Sequence, residues 1–346
     1  ETSVQEYFAP SHPYRQSTDR IDARLSGTTP LDVVFEAPKQ DGLIDPEKLG
    51  EIRAFQQWAE SLPQVDKAIS PIDFIEEMNW GFHGEDPRYR TLPGDPDLIS
   101  QFLFVYDGDE LGDFLDDDRR TARVSFNLNV HKANDIKAVM NQMRAYLGQH
   151  VTTDMRWDIA GLGRLFADME ELLVGGQVSS IGGSVLMIFL MMAWLWRSLW
   201  QSALTMIPNL VPILMIFMFM GATGIWLDMA TVMVASVTAG IAVDDTIHLY
   251  HGFKERMRHG ATAVNALMRT YAQAGRAVIV TTTILASQFL VLMTSDFRPF
   301  SKFGMLTALG LVTALVFDLF VTPALLMVVY GRKKKPAPGA PLPAAS

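Results

Sequence analysis

Hydrophobic and polar residues are distributed very differently in the two halves of the chain. From about Gln177 onward, five long apolar stretches follow one another, at residues 178–196, 202–220, 229–249, 277–294 and 303–330. The first contains no charged residue, and at ~1.5 Å per residue a helix of this length crosses a hydrocarbon core of ~30 Å. The pattern therefore predicts a five-span transmembrane helical bundle over residues 178–330.

The first half alternates between strand-like and helix-like patterns. Residues 30–37, 64–70, 121–130 and 155–161 are typical of strands, and residues 45–62 and 134–148 are typical of amphipathic helices. The first helix has Asp45 as N-cap and Pro46 at its first position, with Leu49, Ile52 and Phe55 on one face. The order β-α-β, an irregular insertion, then β-α-β predicts a ferredoxin-like, split-βαβ sandwich over residues 1–161.

The complete chain is thus predicted to be of the α+β class, with an outer domain followed by the bundle. Residues 162–177 are expected to form a helix that connects the outer domain to the first span. The end of the chain, residues 331–346, is rich in Lys, Pro and Ala and predicts a disordered tail.

The two halves of the chain also differ in charge, and several functional classes can be excluded from charge and composition. Residues 1–176 carry a net charge of −15, whereas residues 177–346 carry +6. An acidic domain does not suit nucleic acid, whose phosphates require Lys and Arg, so a nucleic-acid partner is not expected. The chain has no cysteine, which excludes disulfides and thiolate metal sites, and it has no G-x-x-x-x-G-K-[ST] loop for ATP.

The positive charges also predict the orientation of the bundle. If residues 1–176 lie outside, the inner loops and tail carry ten Lys and Arg residues and the outer loops carry two, Arg298 and Lys302. By the positive-inside rule, the C-terminus is cytoplasmic. The longest inner loop, residues 251–276, contains an amphipathic segment that either lies along the membrane surface or packs under the bundle.

Two adjacent carboxylates, Asp244 and Asp245, interrupt the third span. A charge near the bilayer centre costs from ~2.5 to more than ~10 kcal/mol, so it persists only where it is paired, hydrated or functional. If instead the span ended at Val243, the carboxylates would lie among lipid head groups. Two adjacent carboxylates in a low dielectric are not easily ionised together, so a buried pair is expected to take up and release a proton.

Several residues are candidates to support such a proton relay. Gly240, Asp244 and His248 recur at i, i+4 and i+8 on one helix face, which Ser236 extends. The hydroxyls of Thr281, Thr282 and Thr283 in the fourth span are candidate donors to the carboxylates. Asp318 in the fifth span either joins this network or caps a helix break before Pro323.

Three segments of the bundle carry a family resemblance: "GIAVDDTIHLYHGFKE", "AGRAVIVTTTILASQFLVLMTS" and "KFGMLTALGLVTALVFDLFVTPALL". They resemble the last three spans of the resistance–nodulation–division (RND) superfamily. The nearer match is the branch of MMPL-type and "predicted exporter" proteins, which resembles the hydrophobe/amphiphile efflux-3 proteins. The family signature G-x-x-x-D is matched by Gly240 and Asp244, and Asp245 occupies the following position.

The resemblance implies a function and a location. Members have twelve spans in two similar halves, each with a large extracytoplasmic loop, and this chain resembles the second half without its first span. Proton-motive-force-driven export of hydrophobic or amphiphilic molecules, often lipids, is implied, without a cofactor. Residues 1–176 would be a periplasmic porter domain at a bacterial inner membrane. The missing N-terminal half, a partner subunit or further copies of the chain would complete the transporter.

The sequence fits other classes of function less well. A membrane aspartyl protease needs catalytic aspartates on different helices, whereas adjacent residues of one helix point ~100° apart. A metal enzyme using Asp244, His248 and His251 would need more histidines than lie near this region, so no enzyme is expected. A sterol-sensing or protein-export accessory module of the same superfamily, which need not transport a small molecule, remains the alternative.

Overall fold

The computed structural model describes residues 3–106, 109–228 and 230–331. It divides into two units, Glu1–Leu172 and Leu173–Ser346. The first combines helices with a small antiparallel sheet and the second is helical. The predicted tail, residues 331–346, lies outside the described residues apart from Gly331, and so does Met229, the first residue of the predicted third span.

The sheet of the first unit has four strands in the order β2-β3-β1-β4. Its strands are β1 (Thr29–Glu36), β2 (Val65–Ile69), β3 (Thr121–Leu128) and β4 (Arg156–Ala160). Strand β1 pairs antiparallel with both β3 and β4, and β2 pairs antiparallel with β3. Along β1 and β3 every second side chain is buried, as the alternation of the sequence predicts.

The helices of this unit are α1 (Pro13–Arg24), α2 (Pro46–Glu60), α3 (Pro71–Phe82), α4 (Pro96–Val105), α5 (Asp109–Gly112) and α6 (Ala133–His150). Asp45 caps α2, as predicted, by accepting a hydrogen bond from the main chain of Glu47. Phe55 of α2 is fully buried, with its ring 5.8 Å from that of Phe35 and 5.6 Å from that of Phe126. These contacts attach α2 to one face of the sheet.

The segment between β2 and β3 was predicted to be irregular, and this prediction was wrong, because α3, α4 and α5 lie there. Helix α3 begins with a capping box, in which Ser70 and Asp73 satisfy each other's free main-chain N–H groups. Gln56 of α2 donates to Asp73 at 2.9 Å, which joins the inserted segment to the rest of the unit.

Glu51 of α2 holds the chain just before β4. Its carboxylate accepts four hydrogen bonds, from the main-chain N–H and the hydroxyl of both Thr152 and Thr153. Partial burial alone would raise the pKa of Glu51, but these hydrogen bonds outweigh it and hold the pKa below its ordinary value.

Five helical segments of the described chain are long and apolar enough to cross a membrane. They are Leu162–Trp196, Leu199–Thr223, Thr231–Arg258, Ala263–Thr294 and Arg298–Tyr330. The first three are the helices α7, α8 and α9. The fourth contains α10 (Ala263–Thr270), a π-helical turn (Tyr271–Gly275) and α11 (Arg276–Val291), and the fifth contains α12 (Arg298–Val316), a π-helical turn (Phe317–Val321) and α13 (Thr322–Tyr330).

Glycines allow the helices of the bundle to pack closely. A Cβ atom on Gly304 of α12 would lie 2.3 Å from the main-chain oxygen of Phe289 in α11, and one on Gly310 would lie 2.7 Å from Thr238 Cγ2 in α9. Since apolar side chains gain little by leaving lipid, membrane helices associate through such close contacts and through hydrogen bonds.

The amphipathic segment of the inner loop forms the helix α10. Ala266 and Thr270 are fully buried, and α10 packs against α9 and α13, while Met268 is exposed. Of the two alternatives, the segment therefore packs against the bundle. The loop is also shorter than expected, because α9 continues to Arg258.

Candidate functional site

Asp244 and Asp245 lie in the middle of α9, which is a continuous helix from Thr231 to Arg258. Helix α9 therefore continues through both carboxylates and does not end at Val243. The two carboxylates face different surroundings, since the side chain of Asp244 is 73% exposed and Asp245 is half-buried. This difference follows from the ~100° rotation between successive residues of a helix.

Asp244 faces an open cleft on the surface of the bundle. His248 lies one turn further along α9, with its Nε2 atom 3.6 Å from Asp244 Oδ1. Gly240 lies one turn earlier, and a Cβ atom there would meet nothing within 4 Å. The cleft has a volume of about 610 Å³ and lies between α9, the π-helical turn Tyr271–Gly275 and α11. The residues that line it are Gly240, Ile241, Asp244, Asp245, His248, Ala274, Ala277, Val278, Thr281 and Leu285.

The stripe that contains Gly240, Asp244 and His248 contacts a neighbouring helix at Ser236. There, Gln177 Nε2 of α7 donates to Ser236 Oγ at 3.0 Å. The other three residues are exposed within this chain. The stripe thus presents a carboxylate and an imidazole on the outer face of an apolar bundle.

Of the three candidate threonines in α11, only Thr282 reaches a carboxylate. Its hydroxyl donates to Asp245 Oδ2 at 3.4 Å. The hydroxyls of Thr281 and Thr283 donate to carbonyls of their own helix, at 3.0 Å and 2.6 Å. The structure therefore does not bring Thr283 to the aspartates.

Asp318 forms a second polar centre, buried between helices. Its Oδ1 atom accepts hydrogen bonds from the hydroxyl of Thr246 in α9 at 3.0 Å and from that of Thr322 at 3.1 Å. The Thr246 hydroxyl also lies 3.1 Å from Asn209 Oδ1 in α8. Asp318 thus lies in a hydrogen-bonded network that joins three spans, and it does not cap a free helix end.

The main chain at Asp318 has an unusual hydrogen-bonding requirement. In the π-helical turn, the N–H of Thr322 bonds to the carbonyl of Phe317, five residues back. The same register would pair the Asp318 carbonyl with residue 323, which is a proline without an N–H. The hydroxyl of Tyr271 donates to this carbonyl instead, at 2.6 Å, and Tyr271 begins the other π-helical turn of the bundle.

Sequence reasoning missed Thr246, Asn209 and Tyr271 as members of this network. Asn209 carried a signal, because it is an amide between Pro208 and Pro212 in an otherwise apolar span. The role of Tyr271 carried none, since it lies 47 residues from Asp318 in the chain.

The first unit contains a cavity of about 510 Å³ with a mainly apolar wall. It is lined by Ile69, Asp73, Phe74, Glu77, Met78, Gly81, Phe82 and Tyr106. Asp73 and Glu77 are both engaged, Asp73 in the capping box and Glu77 in an ion pair of 2.9 Å with Arg90. The cavity therefore offers aromatic and aliphatic surface with a polar rim.

Comparison with known proteins identifies similar chains. Residues 7–341 match the model of the MMPL family. Protein MJ1562 of Methanocaldococcus jannaschii is 22% identical across 95% of this chain and 84% of its own length. Protein translocase subunit SecD of Dehalococcoides mccartyi is 23% identical across 92% of this chain and 77% of its own. Multidrug resistance protein MdtC of Pectobacterium atrosepticum is 26% identical across 56% of this chain and 18% of its own.

Proposed function

The chain belongs to the MMPL family, and from this premise we propose that it exports hydrophobic or amphiphilic molecules, lipids among them, driven by the proton gradient. Its five apolar helices and its family make it a multi-pass membrane protein. The similarity to a multidrug resistance protein supports the transport of small molecules. In this proposal the chain is not an enzyme and uses no cofactor.

The observation that carries the proposal is the placement of Asp244. A carboxylate that is 73% exposed, in the middle of a membrane helix, is too costly to leave against lipid. It must be hydrated or covered by protein. A hydrated carboxylate with His248 one turn away and Asp245 beside it is a group that protons from water reach. We therefore assign the proton relay to Asp244 and Asp245, with Thr282 positioning Asp245.

The same exposure supports a partner for this face of the bundle. A second helical bundle, from the other half of a transporter, a partner subunit or another copy of the chain, would cover the cleft at Gly240, Asp244 and His248. Lipids would contact the remaining apolar surface. The cleft would then lie inside the assembly, where changes in its hydration control access of protons to the aspartates.

The first unit supports the assignment of the substrate class. Its cavity of about 510 Å³ lies within the range of ~300–1,000 Å³ that accommodates small ligands, and its wall is mainly apolar. The strand order β2-β3-β1-β4 supports a ferredoxin-like porter domain. We place residues 1–176 in the periplasm of a bacterium and the C-terminus in the cytoplasm, as the positive charges of the inner loops favour.

A second candidate function is favoured by the similarity to SecD, a subunit of a protein translocase. In that case the bundle would use the same protons to assist protein export, and the first unit would bind a polypeptide. The relay residues would be unchanged, so the two functions differ in the substrate and not in the energy source.

Efflux from membrane vesicles tests the relay and separates the two functions. The full native protein, as Asp244→Asn, Asp245→Asn and wild type, is compared for export of a panel of fluorescent amphiphiles under an imposed pH gradient. We expect each substitution to reduce export by about tenfold or more, because an amide does not exchange a proton with the gradient. Thr282→Ala is also expected to reduce export, because Thr282 contacts Asp245, and Thr283→Ala is its matched control, because the Thr283 hydroxyl donates to a carbonyl of its own helix.

Three outcomes would be informative. Unchanged export in both Asn variants would refute the relay. Export of no amphiphile, together with protein secretion that depends on Asp244, would support the translocase function. Loss of amphiphile export in both Asn variants, with export retained in Thr283→Ala, would support the transporter.

A further inference from the structure

The hydroxyl of Thr246 lies between two acceptors that belong to different helices. It is 3.0 Å from Asp318 Oδ1 and 3.1 Å from Asn209 Oδ1. All three side chains are almost completely buried, away from bulk solvent. A hydroxyl has one proton and donates it to one acceptor at a time.

The other polar groups around this hydroxyl already form hydrogen bonds of their own. The amide nitrogen of Asn209 donates to the carbonyl of Thr205 at 2.8 Å, which leaves Oδ1 as the atom that faces Thr246. The hydroxyl of Thr322 donates to Asp318 Oδ1 from the last span. With Asp318 ionised, the single proton of Thr246 has two acceptors, and turning it to Asn209 leaves the buried carboxylate with one hydroxyl donor, Thr322, among the described residues.

A proton on Asp318 removes this conflict. The carboxyl O–H then donates to Thr246 Oγ1, and Thr246 turns its own proton to Asn209 Oδ1. One proton enters the network, none leaves, and both acceptors are satisfied. Without that proton, Thr246 donates to Asp318, and the oxygen of Asn209 is left without a donor in a buried site, which costs about 1–3 kcal/mol.

We propose that Asp318 is a second protonation site, separate from the Asp244–Asp245 pair, and that its proton decides whether Thr246 bonds α9 to α8 or to the last span. The site deepens the proposed function and rests on it only for the source and use of the proton. The site binds a proton, and binding of this proton changes which helix is hydrogen-bonded to Thr246.

The surroundings of Asp318 are consistent with such a site. The ionisable groups that act on it from neighbouring elements are Asp245 of α9 and Tyr271. Helix α8 contains no charged residue and contributes the uncharged Asn209 to the network. Among the described residues, Asp318 has no ion pair with Lys, Arg or His. A buried carboxylate without a cation depends on hydroxyl donors or on a proton.

The position in the fold gives the exchange a structural consequence. Asp318 lies in a π-helical turn, and such turns are frequent at functional sites because their backbone departs from the regular helix. The hydroxyl of Tyr271 connects this turn to the other π-helical turn of the bundle. A shift of Thr246 between its two acceptors therefore makes or breaks a hydrogen bond to the span whose register is irregular at Asp318.

Infrared difference spectroscopy of the full chain in lipid nanodiscs tests the proposal. Spectra taken at acidic and alkaline pH are compared between wild type and Asp318→Asn, so that the carboxylic C=O band of Asp318 is isolated. We expect a band at acidic pH that is absent from the variant. Thr246→Val should shift this band to higher frequency, because the carboxyl loses its acceptor, and Thr246→Ser should restore it.

Thr238→Val is the matched control, because Thr238 is equally buried on the same helix and its hydroxyl has no hydrogen-bond partner among the described residues. It should leave the Asp318 band unchanged. The inference is overturned if no Asp318 band appears at any pH, or if Thr246→Val leaves the band where it was. Thr246→Ser and Thr246→Val keep the test usable if Asp318→Asn does not fold, since the band is then identified by its response to the hydroxyl.

The double variant Asp244→Asn/Asp245→Asn separates this inference from the proposed function. If it retains the Asp318 band and loses export, both stand. If it retains the band and still exports, the relay fails and the Asp318 site stands. If the double variant loses export but the wild type has no Asp318 band, the relay stands and the Asp318 site is refuted.

Discussion

Replacement of Tyr271 by Phe tests how the bundle satisfies the carbonyl of Asp318. The Tyr271 hydroxyl donates to this buried carbonyl at 2.6 Å. Phe keeps the ring and removes only the donor. The π-helical register assigns the carbonyl to residue 323, and Pro323 has no N–H to replace the hydroxyl.

The expected cost follows from this geometry. A buried acceptor left without a donor costs about 1–3 kcal/mol, whereas hydrogen bonds between membrane helices that find new partners average about 0.6 kcal/mol. Because Pro323 blocks the local replacement, we expect Tyr271→Phe to lower the free energy of unfolding by about 1–3 kcal/mol.

A double-mutant cycle with Pro323→Ala provides the sharper measurement. The new N–H at position 323 can donate to the Asp318 carbonyl in the same register. In the Pro323→Ala background, the cost of Tyr271→Phe should therefore fall below about 0.5 kcal/mol. The assay is denaturant titration in detergent micelles, followed by circular dichroism.

Tyr250 supplies the control for this cycle. Its hydroxyl lies 2.8 Å from that of Tyr330, so its hydrogen bond is to a side chain and not to a main-chain carbonyl. The cost of Tyr250→Phe should be the same with and without Pro323→Ala. An equal cost of Tyr271→Phe in both backgrounds would refute the account of the π-helical register.

Three further predictions concern packing, charge and pH. Gly304→Ala should lower the free energy of unfolding by about 1–3 kcal/mol, because its Cβ would lie 2.3 Å from a main-chain oxygen of α11. A Cβ on Gly240 would meet nothing within 4 Å, and Ala is favoured over Gly inside a helix by roughly 0.5–1 kcal/mol, so Gly240→Ala should not lower the free energy of unfolding in the same titration. Lys302→Met should lower the free energy of unfolding by about 3 kcal/mol or more, because it leaves the buried carboxylate of Asp228 without its cation at 3.5 Å. Adding Asp228→Asn should recover most of this lost free energy. Because the pKa of Glu51 is lowered in the folded protein, its ionised carboxylate stabilises the fold fully above the ordinary pKa of about 4.3, and this stabilisation is lost as the pH falls through the lower folded value. Thermal melts of Glu51→Gln should therefore show less destabilisation by acid than those of wild type. Equal acid sensitivity of the two proteins would contradict this assignment.

The hydrophobic pattern was sufficient to predict much of the fold. Strand-like patterns located all four strands, two of them by alternation, and the apolar stretches located the five long helices within a few residues at most ends. The irregular insertion was misjudged because the capping box at Ser70 and Asp73 was overlooked. Helix α9 extends past the predicted span of residues 229–249, because its last two turns are polar and lie beyond the apolar segment.

The candidate site was predicted only in part. The position of Asp244 and Asp245 on α9 is visible in the sequence, because charge within an apolar run needs no tertiary information to be noticed. Which threonine faces Asp245 was not predictable, since three consecutive hydroxyls point in three directions and the rotation of α11 selects Thr282. The role of the aspartates as a relay stays a prediction that export measurements will test.

The sequence by itself determined the long apolar helices, the strands and the presence of acidic residues within the spans. These features depend on local periodicity and on the cost of placing charge in lipid, and both can be counted along the chain. Only the tertiary structure decided that Asp244 faces an open cleft and that Asp318 is buried against Thr246. It also placed Tyr271 at a carbonyl 47 residues away. The physical reason is that a side chain's partners depend on the rotation and register of helices that are distant in sequence, and packing between helices sets both.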